Sequence, residues 1–412
     1  MGFVRKTDGG RYKAFWRDPT GRQRSKTFRT KKEAGAFLAE TETSKSHGTY
    51  VSPHAGRMTF GDHAEAWAAS WNTEQTTAAR DRSVMRTHVL PQWADWQLAK
   101  IDHLSVQQWV TELGRTRSRA TVAEAYRLTS AVLRSAVRNR LIAFNPATDV
   151  RIPKRRRQDT DERVISREDL RGVLLPAVPE RHRALVATAA GAGLRWGEVA
   201  GLREDVVDLD AGTVSIVRTV IEVAGKRSFK PFPKSTAGRR VVPLPQWVVT
   251  AIREHLRRWP QESTSPIFAN ELGGPLGRTI FRSRVWRPSL VRAGLLGSVV
   301  QVGPKLFRAR WLDRDGNQHT ETAPTYVQAV MEVARSSADG LRFHDLRHSY
   351  TTWLVDDGVP PNMVQRVLGH ERSSTTLDLY TRRTDNSARI LQALDDEDPD
   401  DGSGAVDFGQ RA

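Results

Sequence analysis

The chain predicts a multi-domain protein. A small α+β unit, a three-stranded sheet plus a helix, precedes an all-α unit and a mixed α/β, mainly helical unit that holds an inserted sheet-plus-helix module. Three observations predict this order. The 412 residues exceed what one core organises. The apolar period changes from 2 to about 3.6 near residue 57. Beyond residue 163 the two periods alternate, the pattern of a unit that mixes helix and sheet.

Residues 1–56 form the first unit, with 12 bases against 5 acids. The stretch Gly10-Arg-Tyr-Lys-Ala-Phe-Trp16 and residues 22–28 alternate in polarity around the turn Asp18-Pro-Thr-Gly21, a hairpin pattern. Thr30 then caps a helix over 31–42, with Ala34, Phe37 and Leu38 on one face. Cations lie on both strands and in the turn rather than in alternating-sign pairs. This marks Arg11, Lys13, Arg22, Arg24 and Lys26 as candidate nucleic-acid ligands.

Residues 57–150 read as all-helical. Thr59 caps a helix carrying Phe60, Ala64, Trp67, Ala68 and Trp71 on one face. Further helices fall near 77–89, after Ser105 (Val106, Trp109, Val110, Leu113) and over 120–138 (Val122, Tyr126, Val132, Leu133, Val137). Asn145-Pro-Ala ends the unit. The connector 151–162 begins Arg151-Ile-Pro-Lys-Arg-Arg-Arg157, which suits neither helix nor core. Its Lys154, Arg155, Arg156 and Arg157 fit a linker that tracks phosphates.

The third unit spans 163–394. Ser166-Arg-Glu-Asp169 caps its first helix, and β-type runs occur at 213–223 and 240–244. Beyond it, residues 395–412 form an acidic tail of charge −6, which leaves +23 on residues 1–394 out of a total of +17. So strong a positive balance points to a polyanionic partner, nucleic acid first. No apolar run of about 18 residues occurs, and the start lacks an export signal, so the expected location is cytoplasmic. The absence of cysteine removes disulfides, thiolate nucleophiles and thiolate-bound zinc.

Four segments of the third unit carry chemistry: Gly193-Leu-Arg195-Trp-Gly-Glu198, Pro233-Lys234, His344-Asp-Leu-Arg347-His348, and Leu368-Gly-His370 followed by Tyr380. Two Arg, a Lys and two His could surround one phosphate. Arg offers a planar fork of donors that never deprotonates near neutrality. A phenol of ordinary pKa near 10 needs such charge, and a base, to attack phosphorus.

In this order the set resembles the tyrosine recombinases, the phage integrases, and the upstream layout resembles their arm-type subgroup. The resemblance implies an arm-type DNA-binding domain at 1–56, a core-binding domain at 57–150 and a catalytic domain at 163–394. Arg195 and Arg347 match the phosphate-clamping arginines. Lys234 matches the lysine that protonates the leaving 5′ oxygen, and His344 the general acid–base. His370 matches the ligand of a non-bridging oxygen, Tyr380 the nucleophile and Glu198 a supporting acid. The implied activity is cleavage and rejoining of DNA through a 3′-phosphotyrosyl link, integrating or excising a mobile element without ATP, metal or cofactor. Implied partners are double-stranded DNA at core and arm-type sites, three more copies in a homotetramer, and a directionality factor or DNA-bending protein. The location implied on DNA is the nucleoid.

Three other readings fit part of the pattern. His344-Asp-Leu-Arg-His348 also matches the spacing of a zinc-binding helix, but that leaves Arg195, Lys234 and Tyr380 without roles. A type IB topoisomerase would share the phosphotyrosine chemistry. A DNA-binding architectural protein would share the charge.

Residues 297–340 are expected to be an insertion that resembles 11–40 at a fixed offset of 295. Tyr12 corresponds to Phe307, Ala14 to Ala309, Trp16 to Trp311, Asp18 to Asp313, Gly21 to Gly316, Thr30 to Thr325 and Ala34 to Ala329. Residues 11–40 hold nine bases and three acids, whereas 306–335 hold four of each. Loss of net charge predicts a contact with a neighbouring subunit, or at most a weak one with DNA.

Overall fold

The computed structural model describes residues 2–19, 21–46, 50–51, 55–153, 163–230 and 239–369. It forms two compact units, residues 1–160 and 161–412.

In the first unit, β1 (Phe3–Lys6), β2 (Tyr12–Arg17) and β3 (Gln23–Phe28) make an antiparallel sheet in the order β1-β2-β3, backed by α1 (Lys31–Ser46). Ala14, Trp16, Ala34 and Leu38 form its small core, and the Trp16 indole donates to the Tyr50 hydroxyl at 2.7 Å. Helices follow: α2 (Phe60–Ala69), α3 (Gln75–Val84), α4 (Leu90–Trp93), α5 (His103–Thr116) and α6 (Arg119–Arg138). They enclose a separate core around Trp93, Trp109, Leu128 and Leu133. Thr59 caps α2 as expected, by accepting from the Asp62 N–H. Helix α5, expected after Ser105, starts earlier than its apolar face suggests, because Asp102 accepts from the Ser105 N–H at 2.7 Å and caps it. The start of the connector is held on α5, since Gln107 both donates to the Arg151 carbonyl and accepts from its N–H.

The second unit opens with Ser166 capping α7 (Arg167–Asp169), then α8 (Leu175–Ala177), α9 (Glu180–Gly191) and α10 (Trp196–Val199). The expected run at 213–223 is two strands. Beside β4 (Val207–Asp208), β5 (Thr213–Ile216) pairs with β8 (Arg240–Pro243), while β6 (Thr219–Val223) pairs with β7 (Lys226–Lys230). Helices α11 (Gln246–Arg258), α12 (Arg278–Phe281) and α13 (Arg287–Arg292) complete the middle. A second sheet-plus-helix module follows, called the second sheet below, of β9 (Ser298–Gly303), β10 (Leu306–Leu312) and β11 (Gln318–Ala323), with α14 (Tyr326–Ser336) against it. Last come α15 (Asp345–Asp356) and α16 (Pro361–Leu368). One core runs from Ile165 and Leu185 through Val242, Ile252 and Trp286 to Trp311 and Val333. The second sheet is therefore packed into this unit rather than hung from it.

Three helices share one irregularity. Met85–Val89, Leu170–Leu174 and Arg282–Trp286 are π turns, and each runs into a helical turn that begins with a residue followed by proline: Pro91, Pro176 and Pro288. Proline has no N–H to donate and its ring crowds the carbonyl four residues back, and a wider turn relieves both.

Candidate active site

Arg195 sits at the mouth of a tight turn. Gly193 adopts φ +61°, and a Cβ there would lie 2.4 Å from the Tyr350 ring, so both conformation and space call for glycine. The Arg195 N–H donates to Glu198 Oε2 at 2.9 Å and its guanidinium to Oε1 at 2.9 Å. Glu198 in turn takes two donors from Arg240, at 3.2 and 2.9 Å, and lies 4.0 Å from the Arg347 guanidinium. Burial alone would raise its pKa. The hydrogen bonds and charge of Arg240, with the Arg195 N–H and cation, outweigh that and hold the carboxyl down to about 2.

The three arginines differ in access. The Arg195 side chain is 42% exposed, against 4% for Arg240 and Arg347, so of the three Arg195 is the one open to solvent. Arg347 donates to the Gly193 carbonyl at 2.8 Å and the Leu368 carbonyl at 2.6 Å, and Arg240 to the Val367 carbonyl at 2.6 Å. These bonds tie the Gly-Leu-Arg turn to the C-terminal end of α16, from which the chain continues toward His370. Burial, then repulsion by Arg195, pushes Arg347 down to about 9, which leaves it protonated at neutral pH.

His344 precedes α15. Trp196, next to Arg195, packs edge-on against Phe343, next to His344, with centroids 5.0 Å apart. This couples the two segments through their apolar neighbours. Asp345 is buried and accepts from the Arg342 N–H at 2.7 Å and from its guanidinium, which fixes the turn that carries His344. The same bonds occupy the carboxylate that a zinc-helix reading would need as its base. The His344 imidazole is crowded by protein atoms yet keeps an exposed face. That crowding, with His348, Arg347 and Arg195 nearby, pushes its pKa down to about 4, so it is neutral and able to accept a proton near pH 7.

The structure thus brings together Arg195, Glu198, His344 and Arg347. Lys234, His370 and Tyr380 lie outside the described residues, as do Lys154, Arg155, Arg156, Arg157 and the acidic tail. Arg240 was missed by the sequence reading. Its signal is the strand period, since Arg240, Val242 and Leu244 all turn inward while Val241 is exposed.

In the first unit the predicted cations divide between the two sheet faces. Lys13 lies on the face away from α1, 5.4 Å over Phe15, which stacks on Phe3. Arg5 pairs with Lys13 in the ladder and Arg17 follows Lys13 by four residues, so these two also point outward; the sequence reading did not single them out. Arg24 bonds Asp18 at 3.0 Å, and Lys26 stands 4.9 Å over Phe37 of α1, so both are on the helix side. Arg11 and Arg22 occupy the turns, where Arg22 donates its N–H to Asp18.

Residues 173–387 match the phage integrase family, and residues 1–47 match the phage integrase N-terminal domain. The prophage phiRv2 integrase of Mycobacterium tuberculosis is 27% identical, over 96% of this chain and 94% of its own. The fold is similar to that of the Tn1549 transposon integrase in complex with transposon right end DNA (TM-score 0.58, 18% identity, 82% of this chain and 99% of that one). It is also similar to a lambda integrase tetramer bound to a Holliday junction (TM-score 0.50, 15% identity, 92% and 94%). The matched stretch takes in just over half the sequence and every residue of the arginine, glutamate and histidine cluster, and the chain belongs to the phage integrase family.

Proposed function

We propose that this site-specific recombinase cuts and rejoins duplex DNA through Tyr380, with Arg195, Lys234, His344, Arg347 and His370 as its catalytic set and Glu198 in support. The observation that supports it most is the cluster itself: one open arginine gathered with two buried ones on a single ionised carboxylate, and one neutral histidine brought beside them by the packing of Phe343 on Trp196. A scissile phosphate placed on Arg195 meets the donors that the pentavalent transition state needs.

In the step, the Tyr380 oxygen attacks phosphorus as its proton passes to His344. The bond to the 5′ oxygen breaks, and Lys234 protonates that leaving oxygen. The products are a 3′-phosphotyrosyl link and a 5′-hydroxyl, and bond energy is kept. Attack by the partner strand's 5′-hydroxyl reverses the step, with no nucleotide consumed. His370 donates to a non-bridging oxygen.

The arm unit at 1–56 would hold arm-type sites, and the units at 57–150 and 163–394 the core site, with the linker 151–162 on the backbone. Working on two duplexes implies a homotetramer, and a directionality factor or DNA-bending protein would set the outcome. Among the described residues no helix is long and apolar enough to cross a membrane. Replacing Tyr380 with Phe tests the assignment. Covalent protein–DNA complexes and strand exchange are both expected to vanish while DNA binding persists. A variant that still forms the covalent complex would show that another residue attacks.

A further inference from the structure

The second sheet repeats the first residue by residue. In β2–β3, Tyr12 pairs with Phe28 and Arg17 with Gln23, and in β10–β11, Phe307 pairs with Ala323 and Leu312 with Gln318, each at the offset of 295. Ala309, Trp311 and Ala329 are buried like Ala14, Trp16 and Ala34. Gly316 takes φ +85° as Gly21 does, Asp313 closes the turn as Asp18 does, and His319 stands where Arg24 pairs with that aspartate, at 2.7 Å. Thr325 caps α14 by accepting from the Gln328 N–H.

The net charge of 306–335 hides how that charge is arranged. Ladder partners share a face, so the side of the sheet away from α14 carries Ser298, Val300, Arg308, Arg310, Thr320 and Thr322. Both of its charges are positive, and neither Arg308 nor Arg310 is in an ion pair among the described residues. All four acids are elsewhere. Asp313 and Asp315 are in the turn, Glu321 pairs with Ala309 on the helix side, and Glu332 is on α14, paired with Arg335. On the helix side Arg24 is thus replaced by His319 and Lys26 by Glu321, while the outer face keeps two cations, Arg308 and Arg310, where that of the first sheet has Arg5, Lys13 and Arg17.

We infer that the outer face of β9–β11 is a second DNA-binding surface, built into the catalytic unit and taking the phosphate backbone of a duplex through Arg308 and Arg310. Three strands about 4.8 Å apart present a face about 10 Å across between the outer strand axes, with both arginines on its middle strand. The hydroxyls of Thr320 and Thr322 flank the arginines as neutral phosphate donors. The module is fixed on the unit that carries the cluster. Arg287 donates to the Ala334, Ser337 and Asp339 carbonyls at the end of α14, and Trp311 and Val333 join the main core. Val300 and Leu312 are exposed at the flanks, which would also suit a second copy of this chain, and the test separates the two occupants.

The full-length chain is titrated with a duplex of arbitrary sequence over a range of salt. Binding by the unaltered chain tests the recombinase reading; the difference between two charge-matched double variants tests the module. Arg308→Ala with Arg310→Ala is expected to weaken binding about tenfold near 0.1 M salt and to lower the slope of log K against log salt by about 2. Arg314→Ala with Arg335→Ala, off the face, is expected to change either much less. Because the chain has no cysteine, Thr320→Cys offers one attachment point for a photo-crosslinker, expected to capture DNA. Equal losses from the two double variants, no loss from the first, or crosslinks only to another copy of the chain would overturn the inference.

Discussion

Glu198 sits where the charges of three arginines converge, and its own charge depends on theirs. Its carboxyl titrates near 2 instead of the ordinary 4.5, so it contributes stability at every pH above the ordinary value and loses that contribution as pH falls from about 4.5 toward 2. Glu198→Gln is expected to cost about 3–5 kcal/mol, because it leaves Arg240 and Arg347 buried without their counter-charge, and to flatten this acid limb in thermal melts. An unchanged melting temperature would remove the carboxylate from its structural role. His344, near 4 in the free protein, is expected to place the acid limb of kcat/KM for cleavage below pH 6, and binding of the anionic DNA should move the limb of kcat upward. A limb at the ordinary histidine value in both would contradict the crowding described. Arg195, His344 and Arg347 were legible in sequence because each sits in a short motif whose chemistry is local. Arg240 was not, since its partner Glu198 is 42 residues away and only the fold brings them together.

Among the elements, the turn at Gly193 is under the tightest constraint. Gly193→Ala asks for a left-handed residue with a side chain and drives a methyl into Tyr350, so a loss of at least about 2 kcal/mol in denaturant melts is expected, with cleavage reduced as Arg195 shifts. Wild-type stability would mean that the turn relaxes freely. The second sheet could be found by its offset of 295 because core positions and turn glycines are dictated locally: Trp, Ala and Asp-x-x-Gly recur wherever that hairpin folds. Its binding face could not be read from net charge, since the sum does not separate one side of a sheet from the other. Strand pairing was likewise hidden. The run at 213–223 breaks into β5, whose partner β8 is set by long-range packing, and β6, which folds straight back on β7 through the two-residue turn Ala224-Gly225, both at positive φ. The three π turns had a visible cause in Pro91, Pro176 and Pro288, which an apolar-period reading passes over.

For the whole molecule, the total of +17 resolves into surfaces with different tasks. Arg5, Lys13 and Arg17 face outward from the first sheet, Arg308 and Arg310 from the second, and Arg195, Arg240 and Arg347 are gathered on one carboxylate. In the proposed reaction this last group serves a tyrosine nucleophile. It is tested most directly by incubating the chain with a pool of nicked duplexes, isolating covalent complexes, and mapping the modified residue by mass spectrometry while sequencing the attached strand. The expected product is a nucleotide joined through its 3′ phosphate to Tyr380, at one recurrent sequence. Attachment at any other residue, or to a 5′ phosphate, would contradict it.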